Sequence, residues 1–350
     1  MRYVSADQLI PGMVLGQEIH DSSGVMLVQK GAQLTRENIT HILYHGMPGV
    51  YIDDELSKDI QIKEAVKPEV KEEAVLIVHE FFDRLEGVID LPPDEKLVQL
   101  MVENVVRDIL SNDDVVYNLI DIRTYDNYTY CHSVHVGIIS AIIGVKMNLS
   151  DEELTDLVTA AFLHDVGKVY ISPELLNAPR RLTPEERDEM MQHPWVGYKH
   201  LCAEFSFSEN VNLTVLQHHE WYNGKGYPNK VKGDELLLTS RILRAADVYD
   251  AMTTKRPYHD PYLPSEVMEY IMGRSGMEFD PAVVDVMASQ MAIYPVGCEV
   301  ILSNNRHAIV VANNSGFIMR PTVKLVDTGE ILNLRSSRES YNITIAKLLM

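Results

Sequence analysis

The chain has 350 residues, 46% hydrophobic and 23% charged, which is the composition of a globular protein long enough for two or three domains. Its 31 Lys and Arg against 51 Asp and Glu give a formal net charge of −20, which disfavours binding to nucleic acid backbones. The three cysteines are widely spaced, which argues against a disulfide framework and against a thiolate zinc site. We see no apolar run of the roughly 20 residues a membrane helix needs and no leader pattern, so we expect a cytoplasmic protein.

Residues 1–55 predict a small β-rich module, with a regulatory or dimerisation role. The apolar segments at 25–28 and 50–52 are typical of short strands. Between them, residues 34–46 carry Thr35 three positions before an asparagine and end at a glycine, which predicts a short amphipathic helix.

The rest of the chain predicts a charged linker, a long helical domain and a short β tail. Residues 56–75 form the linker, residues 76–292 repeat apolar side chains every three or four positions, and residues 293–350 return to strand patterns. The fold class is therefore mainly α, a helical bundle with a small N-terminal β module and a C-terminal β tail. Predicted helices include 113–122, 129–147, 151–166, 183–203, 209–220, 237–253 and 264–273.

Seven side chains that could bind a metal fall between residues 132 and 247. Imidazole nitrogens combined with carboxylate oxygens suit divalent iron, manganese, zinc or cobalt. Neighbouring side chains on a helix diverge by about 100°, so His164 and Asp165 cannot simply lie side by side on one ion. A carboxylate has two oxygens, however, so Asp165 could bridge two metals while His164 binds only one. By the same reasoning, the adjacent His218 and His219 should serve different ions. The seven side chains are His132, His164, Asp165, His193, His218, His219 and Asp247.

The residues next to these groups also point to phosphate chemistry. Gly167 is predicted to end the helix that carries His164, and Lys168 lies one turn further on, where it could reach a metal-bound phosphate. The loop WYNGKGYP (221–228) has glycines that permit unusual backbone geometry. Asp247 lies on an otherwise apolar helix face, and a buried carboxylate needs a metal or a basic partner.

Two of these segments resemble the signature of the HD-GYP family. HDVGK (164–168) and HHEWYNGKGYP (218–228) match the family patterns HDxGK and HHExxxGxGYP. YDNYTYCHSVHV (125–136), HPWVGYKHL (193–201) and RILRAADVYDAMTTKRPYH (241–259) resemble the other family motifs. The resemblance covers about residues 100–290.

The resemblance implies an all-α domain that holds two or three divalent ions, iron or manganese, and hydrolyses cyclic di-GMP to linear pGpG and often GMP. By position, it implies that the seven groups are metal ligands and that Asp165 and Lys168 are catalytic. It also implies that the substrate is contacted by Lys168, Arg256, Gly226 and Tyr227.

This chain departs from the family pattern at two places. Members with a third metal have a carboxylate shortly before the first histidine, where this chain has Asn127 and Tyr128. We therefore expect two metals, with Asp126 as the candidate for holding a third. His259 stands where many members have Lys or Arg, which would weaken phosphate binding or make it depend on pH.

The chemistry that follows from two metals is the hydrolysis of a phosphodiester. Metals about 3.5–4 Å apart can share a bridging hydroxide, which attacks phosphorus in line with the leaving oxygen. Lys168 and Arg256 would offset charge on the non-bridging oxygens. His135, which shares the helix face of His132, is interpreted as a packing residue or as a support for a ligand, and His200 as a structural residue.

Two other functions stay open at this point. One is an enzyme for another cyclic dinucleotide such as cyclic GMP-AMP, or for a nucleotide phosphate. The other is a non-catalytic receptor for cyclic di-GMP or a docking module for a diguanylate cyclase, which would use the GYP loop. We expect cyclic di-GMP, diguanylate cyclase domains and a second copy of the chain as partners, and neither nucleic acid nor membrane.

Overall fold

The computed structural model describes residues 1–20, 26–45, 47, 49–111, 128–176, 178, 180–254, 261–314, 316–336 and 338–349. These residues form two compact units. The β unit contains the described residues of 1–64 and of 289–350, and the helical unit contains those between Ala65 and Ala288 apart from the undescribed gaps. The two β-rich ends of the chain thus belong to one unit, although the sequence pattern set them apart.

The N-terminal part of the β unit consists of short strands around one helix. Its elements are β1 (Arg2–Ser5), β2 (Val14–Leu15), β3 (Ile19–His20), β4 (Met26–Val28), α1 (Arg36–Tyr44) and β5 (Gly49–Asp53). β5 lies between β1 and β2 in an antiparallel sheet, and β3 pairs with β4. The predicted capped helix is confirmed, since the Thr35 hydroxyl accepts from the backbone N–H of Asn38 at 3.1 Å.

The C-terminal part of the β unit is a five-stranded antiparallel sheet in the order β10-β6-β7-β8-β9. Buried and half-buried residues alternate along β6 and β8, so one face of each strand packs into the core. The strand pattern predicted for residues 293–350 is confirmed. The strands are β6 (Glu299–Leu302), β7 (His307–Ala312), β8 (Thr322–Leu325), β9 (Ile331–Asn333) and β10 (Ile345–Leu349).

The helical unit is built around α4, which packs against α5 and α10 and is buried along most of its length. None of the helices within the described ranges has the length and apolar character that crossing a bilayer requires. The helices after α1 are α2 (Pro68–Leu85), α3 (Glu95–Leu110), α4 (Tyr128–Lys146), α5 (Asp151–Leu163), α6 (Pro173–Leu176), α7 (Pro184–Met190), α8 (His193–Glu204), α9 (Glu209–Gln217), α10 (Leu238–Thr253), α11 (Pro264–Gly273) and α12 (Pro281–Gln290).

The structure corrects several predicted helix limits. The predicted helix 183–203 is two helices, because Pro194 lacks the N–H that a continuing helix would need and instead occupies the first turn of α8. α5 and α9 end three residues earlier than predicted, at Leu163 and Gln217. α12 was not predicted, and the predicted helix 113–122 lies outside the described residues.

Candidate metal centre

All seven predicted ligand side chains lie in the helical unit, and all except that of His219 belong to buried residues. Most of them stand where a helix begins or ends, so that short turns can aim them inward. They are His132 on α4, Asp247 on α10, His193 at the first residue of α8, His164-Asp165 directly after α5 and His218-His219 directly after α9.

The first group of donors consists of His132, His164 and Asp165, whose ligand atoms all lie within 4.8 Å of one another. His164 Nε2 is 3.4 Å from Asp165 Oδ2. Asp247 joins this group, since its Oδ1 lies 3.2 Å from His132 Nε2. Two imidazoles and two carboxylates therefore converge on one buried point.

The second group consists of His193, His218 and His219, again with ligand atoms within 4.8 Å. The other oxygen of Asp165, Oδ1, lies 3.5 Å from His193 Nε2. Asp165 thus directs one oxygen toward each group. This is the placement that a carboxylate shared by two metal ions requires.

Three imidazoles have the same hydrogen-bond pattern at Nδ1, which contacts the backbone carbonyl three residues earlier. A carbonyl only accepts, so Nδ1 donates and Nε2 keeps its lone pair free. Histidines that bind metals through Nε2 are usually oriented in this way. The three are His164, His193 and His218, whose Nδ1 atoms lie 2.7, 2.8 and 2.6 Å from the carbonyls of Ala161, Met190 and Val215.

The contact between His193 and His218 tests whether the site fits a cation. Their Nε2 atoms are 3.2 Å apart. Burial lowers the pKa of His193 to about 4 and holds that of His218 well below its usual value, so both rings are neutral. Two lone pairs would then face each other in a buried site, an arrangement that a cation between them stabilises. The donor set therefore fits a divalent metal with nitrogen and oxygen ligands.

Asp250 is a buried carboxylate behind the first group that the sequence analysis missed. Its Oδ2 accepts from His132 Nδ1 at 2.6 Å, and its Oδ1 lies 3.5 Å from Nδ1 of the buried His135. Burial alone would lower the pKa of His132, but the hydrogen bonds and charges of Asp247 and Asp250 raise it to about 9. A signal was available, because Asp250 follows Asp247 by three residues and shares its helix face.

The turn after α5 positions Lys168 and requires Gly167. Lys168 Nζ donates to Asp165 Oδ2 at 2.6 Å, and its side chain is 30% exposed, so it lies at the edge of the site. Gly167 does not end the helix as predicted but lies inside a 3-10 turn over 166–170. A Cβ there would come within 2.0 Å of the carbonyl oxygen of His193, so glycine allows this turn to approach α8.

The prediction that His218 and His219 diverge is wrong. Their ring centroids are 4.1 Å apart, and both rings belong to the second group. The prediction assumed a helix through residue 220, whereas α9 ends at Gln217 and the histidines lie in the turn that follows. The angular step of a helix therefore does not apply to them.

The predicted loop 221–228 folds back against the second group. The ring of Tyr227 stacks on His219 with centroids 4.8 Å apart. A Cβ at Gly226 would lie 2.3 Å from the backbone nitrogen of Trp221, so this position needs glycine for close approach. Gly224 has a φ of +77°, which favours glycine for conformational reasons.

Two further charged residues near this loop were not singled out from the sequence. Glu220 Oε1 accepts from the backbone N–H groups of Asn229 and Lys230 at 2.6 and 2.8 Å, which holds the two ends of the loop together. Arg244 lies on α10 and contacts His219 Nδ1 at 3.1 Å. Arg244 lies three residues before Asp247, which was the available signal.

His200 belongs to neither donor group, and its Nδ1 is 2.8 Å from the hydroxyl of Tyr170. Predicted residues that lie outside the described part of the chain are Asp126, Asn127, Arg256 and His259.

Comparison with known proteins identifies one family. An HD domain family model matches residues 107–283. The chain is 31% identical over 225 residues to a Pseudomonas aeruginosa protein named cyclic di-GMP phosphodiesterase, which covers 64% of this chain and 54% of the relative. It is 30% identical over 179 residues to a Vibrio cholerae protein named 3'3'-cGAMP-specific phosphodiesterase 2, which covers 51% of this chain and 34% of the relative. The chain thus spans about half or less of the length of these curated relatives.

A solved structure supports the fold. An HDG"Y"P protein from Bdellovibrio bacteriovorus superposes with a TM-score of 0.51 and 17% sequence identity. The superposition covers 81% of this chain and 97% of that protein. At this level of identity, the likeness concerns the fold alone.

Proposed function

Because this chain belongs to the HD domain family, and to the HD-GYP members that its motifs predicted, we propose that it is a metal-dependent phosphodiesterase that hydrolyses cyclic di-GMP to linear pGpG. The observation that carries the proposal is the position of Asp165, which directs one oxygen toward each of two buried donor groups. The helical unit is then an HD-GYP bundle.

We propose that the site holds two divalent ions, iron or manganese. Six of the predicted groups would hold the ions through an imidazole nitrogen or a carboxylate oxygen, which matches the ligand preference of these metals. The ring of His219 lies in the second group as well, with a different hydrogen-bond pattern. The six are His132, His164, Asp165 and Asp247 around one ion, and Asp165, His193 and His218 around the other.

When bound, such a pair of ions supplies Lewis-acid polarisation of the phosphate oxygens and lowers the pKa of water. The protein contributes position and charge. Asp165 fixes the spacing of the two donor groups, and the ammonium of Lys168 lies at the edge of the site, where it would contact a non-bridging phosphate oxygen. Tyr227, Gly226 and Arg256 stay predicted substrate contacts.

The test combines metal analysis with an assay, on protein purified without oxygen. We expect the wild type to bind about two equivalents of iron or manganese and to convert cyclic di-GMP to pGpG. His164→Ala should bind less metal and lose more than about 100-fold in rate. The control is His307→Ala, an exposed histidine of the β unit that should change neither quantity. Full activity of His164→Ala would refute the proposal.

The likeness to the Vibrio cholerae cyclic GMP-AMP enzyme makes 3'3'-cyclic GMP-AMP the second candidate substrate. Rates on cyclic di-GMP and on 3'3'-cyclic GMP-AMP should be compared in the same preparation. We expect a higher kcat/KM for cyclic di-GMP, and the reverse order would reassign the substrate while leaving the metal chemistry intact. Metal binding together with dinucleotide binding and no turnover would instead support the receptor function.

We also propose that a diguanylate cyclase docks on the GYP loop and that the chain pairs with a second copy. The loop lies beside the second donor group, so a partner bound there would alter access to the site. Light scattering of the purified chain, with and without a cyclase domain, measures both associations.

A further inference from the structure

His219 differs from the other histidines of the site in its hydrogen bonding. Its Nδ1 lies 3.1 Å from Nη1 of Arg244. A guanidinium group donates hydrogen bonds and accepts none, so His219 Nδ1 must be the acceptor. The neutral ring then carries its hydrogen on Nε2. This is the opposite tautomer from His164, His193 and His218, which donate through Nδ1.

Arg244 is held in place by other buried groups. Its Nη2 forms an ion pair with Glu278, which is 3% exposed. The other oxygen of Glu278 accepts from the hydroxyl of Tyr270 at 3.3 Å. Arg244 Nη1 is also 3.7 Å from Asp247 Oδ2, and the Arg244 side chain is only 13% exposed. A guanidinium anchored at several points does not need to move away from His219 when ligands bind.

This arrangement opposes metal binding by His219. A ligand nitrogen must offer a lone pair, but the Nδ1 lone pair of His219 is engaged by Arg244 and Nε2 carries a hydrogen. The ring nevertheless contacts both ligand histidines of the second group, with centroid distances of 4.1 Å to His218 and 5.0 Å to His193. The His219 ring, with its N–H, is therefore held against the two histidines proposed to bind the second ion.

We propose that Arg244 fixes His219 as a hydrogen-bond donor that contacts an oxygen of the bound phosphodiester through Nε2–H, and that His219 is not a metal ligand. The identity of the substrate rests on the proposed function, whereas the tautomer of His219 rests on its hydrogen bond with Arg244. His219 is then a substrate-binding residue and Arg244 a positioning residue. The two metals are held by the other six groups.

The adjacent His218 provides a matched comparison for the test. Wild type, His218→Ala, His219→Ala and His219→Gln are loaded anaerobically with Mn²⁺, dialysed, and measured for bound manganese and for Mn²⁺ affinity against a chelating dye. We expect His218→Ala to lose about one equivalent or to bind Mn²⁺ more than about tenfold more weakly. His219→Ala and His219→Gln should keep both ions, with affinity within about threefold of wild type. Loss of manganese from the His219 variants equal to that from His218→Ala would overturn the proposal.

Kinetics on cyclic di-GMP provide the second measurement. His219→Ala should lose about 10- to 100-fold in kcat/KM, and His219→Gln should recover part of this because its amide also donates. Arg244→Ala should keep its manganese and lose kcat/KM, with partial recovery in Arg244→Lys. Unchanged kinetics in Arg244→Ala would overturn the positioning role. If even the wild type fails to hydrolyse cyclic di-GMP, the proposed function fails, while the manganese comparison still decides whether His219 is a ligand.

Discussion

Asp250 shows how a residue outside the two donor groups can set the orientation and pKa of a residue inside one of them. Its carboxylate accepts from His132 Nδ1 and so directs Nε2 of that ring toward the first donor group. We expect Asp250→Asn to weaken Mn²⁺ affinity about 10- to 100-fold, because the ring loses a charged partner that orients it and raises its basicity. Competition with a chelating dye measures this. Asp285→Asn, an exposed change on α12, is the control, and equal affinities in the two variants would contradict the expectation.

Gly226 allows a separate prediction about the loop. A Cβ at this position would meet three backbone atoms at 2.3 to 2.5 Å, so Gly226→Ala must displace the chain. We expect a loss of about 1–3 kcal/mol in the free energy of unfolding and a lower kcat. Gly273→Ala places a Cβ in open space at the end of α11 and should be neutral or slightly stabilising. Thermal unfolding of the pair measures the difference, and similar melting temperatures would argue against the steric reason.

At this scale, the sequence selected the side chains that converge in the two donor groups, but it missed the residues that support them. His164, Asp165 and Asp247 could be selected because a charged or imidazole group among apolar residues needs a partner. Asp250 lies 118 positions from the ring it orients, and Glu278 lies 34 positions from Arg244. Spacing along one helix cannot reveal such pairs.

Helix ends position most of the side chains of the two donor groups, because His164, His193 and His218 lie where α5 ends, α8 begins and α9 ends. α5 begins at a capping box, in which Ser150 accepts from the Glu153 backbone at 3.3 Å and the Glu153 carboxylate accepts from the Ser150 backbone at 2.8 Å. We expect Ser150→Ala to lower the free energy of unfolding by about 1 kcal/mol without reducing bound manganese, because the cap is at the opposite end of α5 from His164. Thr155→Ala, at a half-buried position of the same helix where the hydroxyl donates only to the carbonyl of Asp151, should change it by less than about 0.5 kcal/mol. Denaturant unfolding compares the two, and a loss of metal from Ser150→Ala would contradict this reading.

Helix existence was predictable from apolar periodicity, whereas helix ends were less so. The periodicity of residues 209–217 continues into His218, and nothing local marks the change to a turn. Tertiary contacts decide where α9 ends, because the rings of His218 and His219 contact His193 on α8. The wrong prediction that the His218 and His219 rings diverge came from placing the end of this helix at residue 220 instead of Gln217.

For the whole molecule, metal binding and stability should be linked. The donors are buried in the folded chain and dispersed in the unfolded chain, so ions bind the native state preferentially. At a free Mn²⁺ concentration 100 times its dissociation constant, we expect about 2.7 kcal/mol of stabilisation of the helical unit per site. Calorimetry with Mn²⁺ or with a chelator measures the shift in melting temperature. The shift should shrink in His164→Ala, and an identical shift there would contradict the assignment.

The union of the two β-rich ends was beyond sequence reasoning. Tyr3 donates its backbone N–H to the carbonyl of Gly297 at 2.9 Å, and Arg2 pairs with Glu299. Tyr3, Tyr51 and Cys298 share one apolar cluster. Such contacts join residues almost 300 positions apart, and no periodic pattern reports them.

This connectivity makes the helical unit an insertion between two parts of the β unit. During synthesis, the first 64 residues emerge long before the strands they need, so the bundle has time to fold first. The β unit can close only after β10 has left the ribosome. Trimming a few residues from either terminus should therefore unravel the opposite terminus as well, and a truncated product would present unpaired sheet edges to proteases.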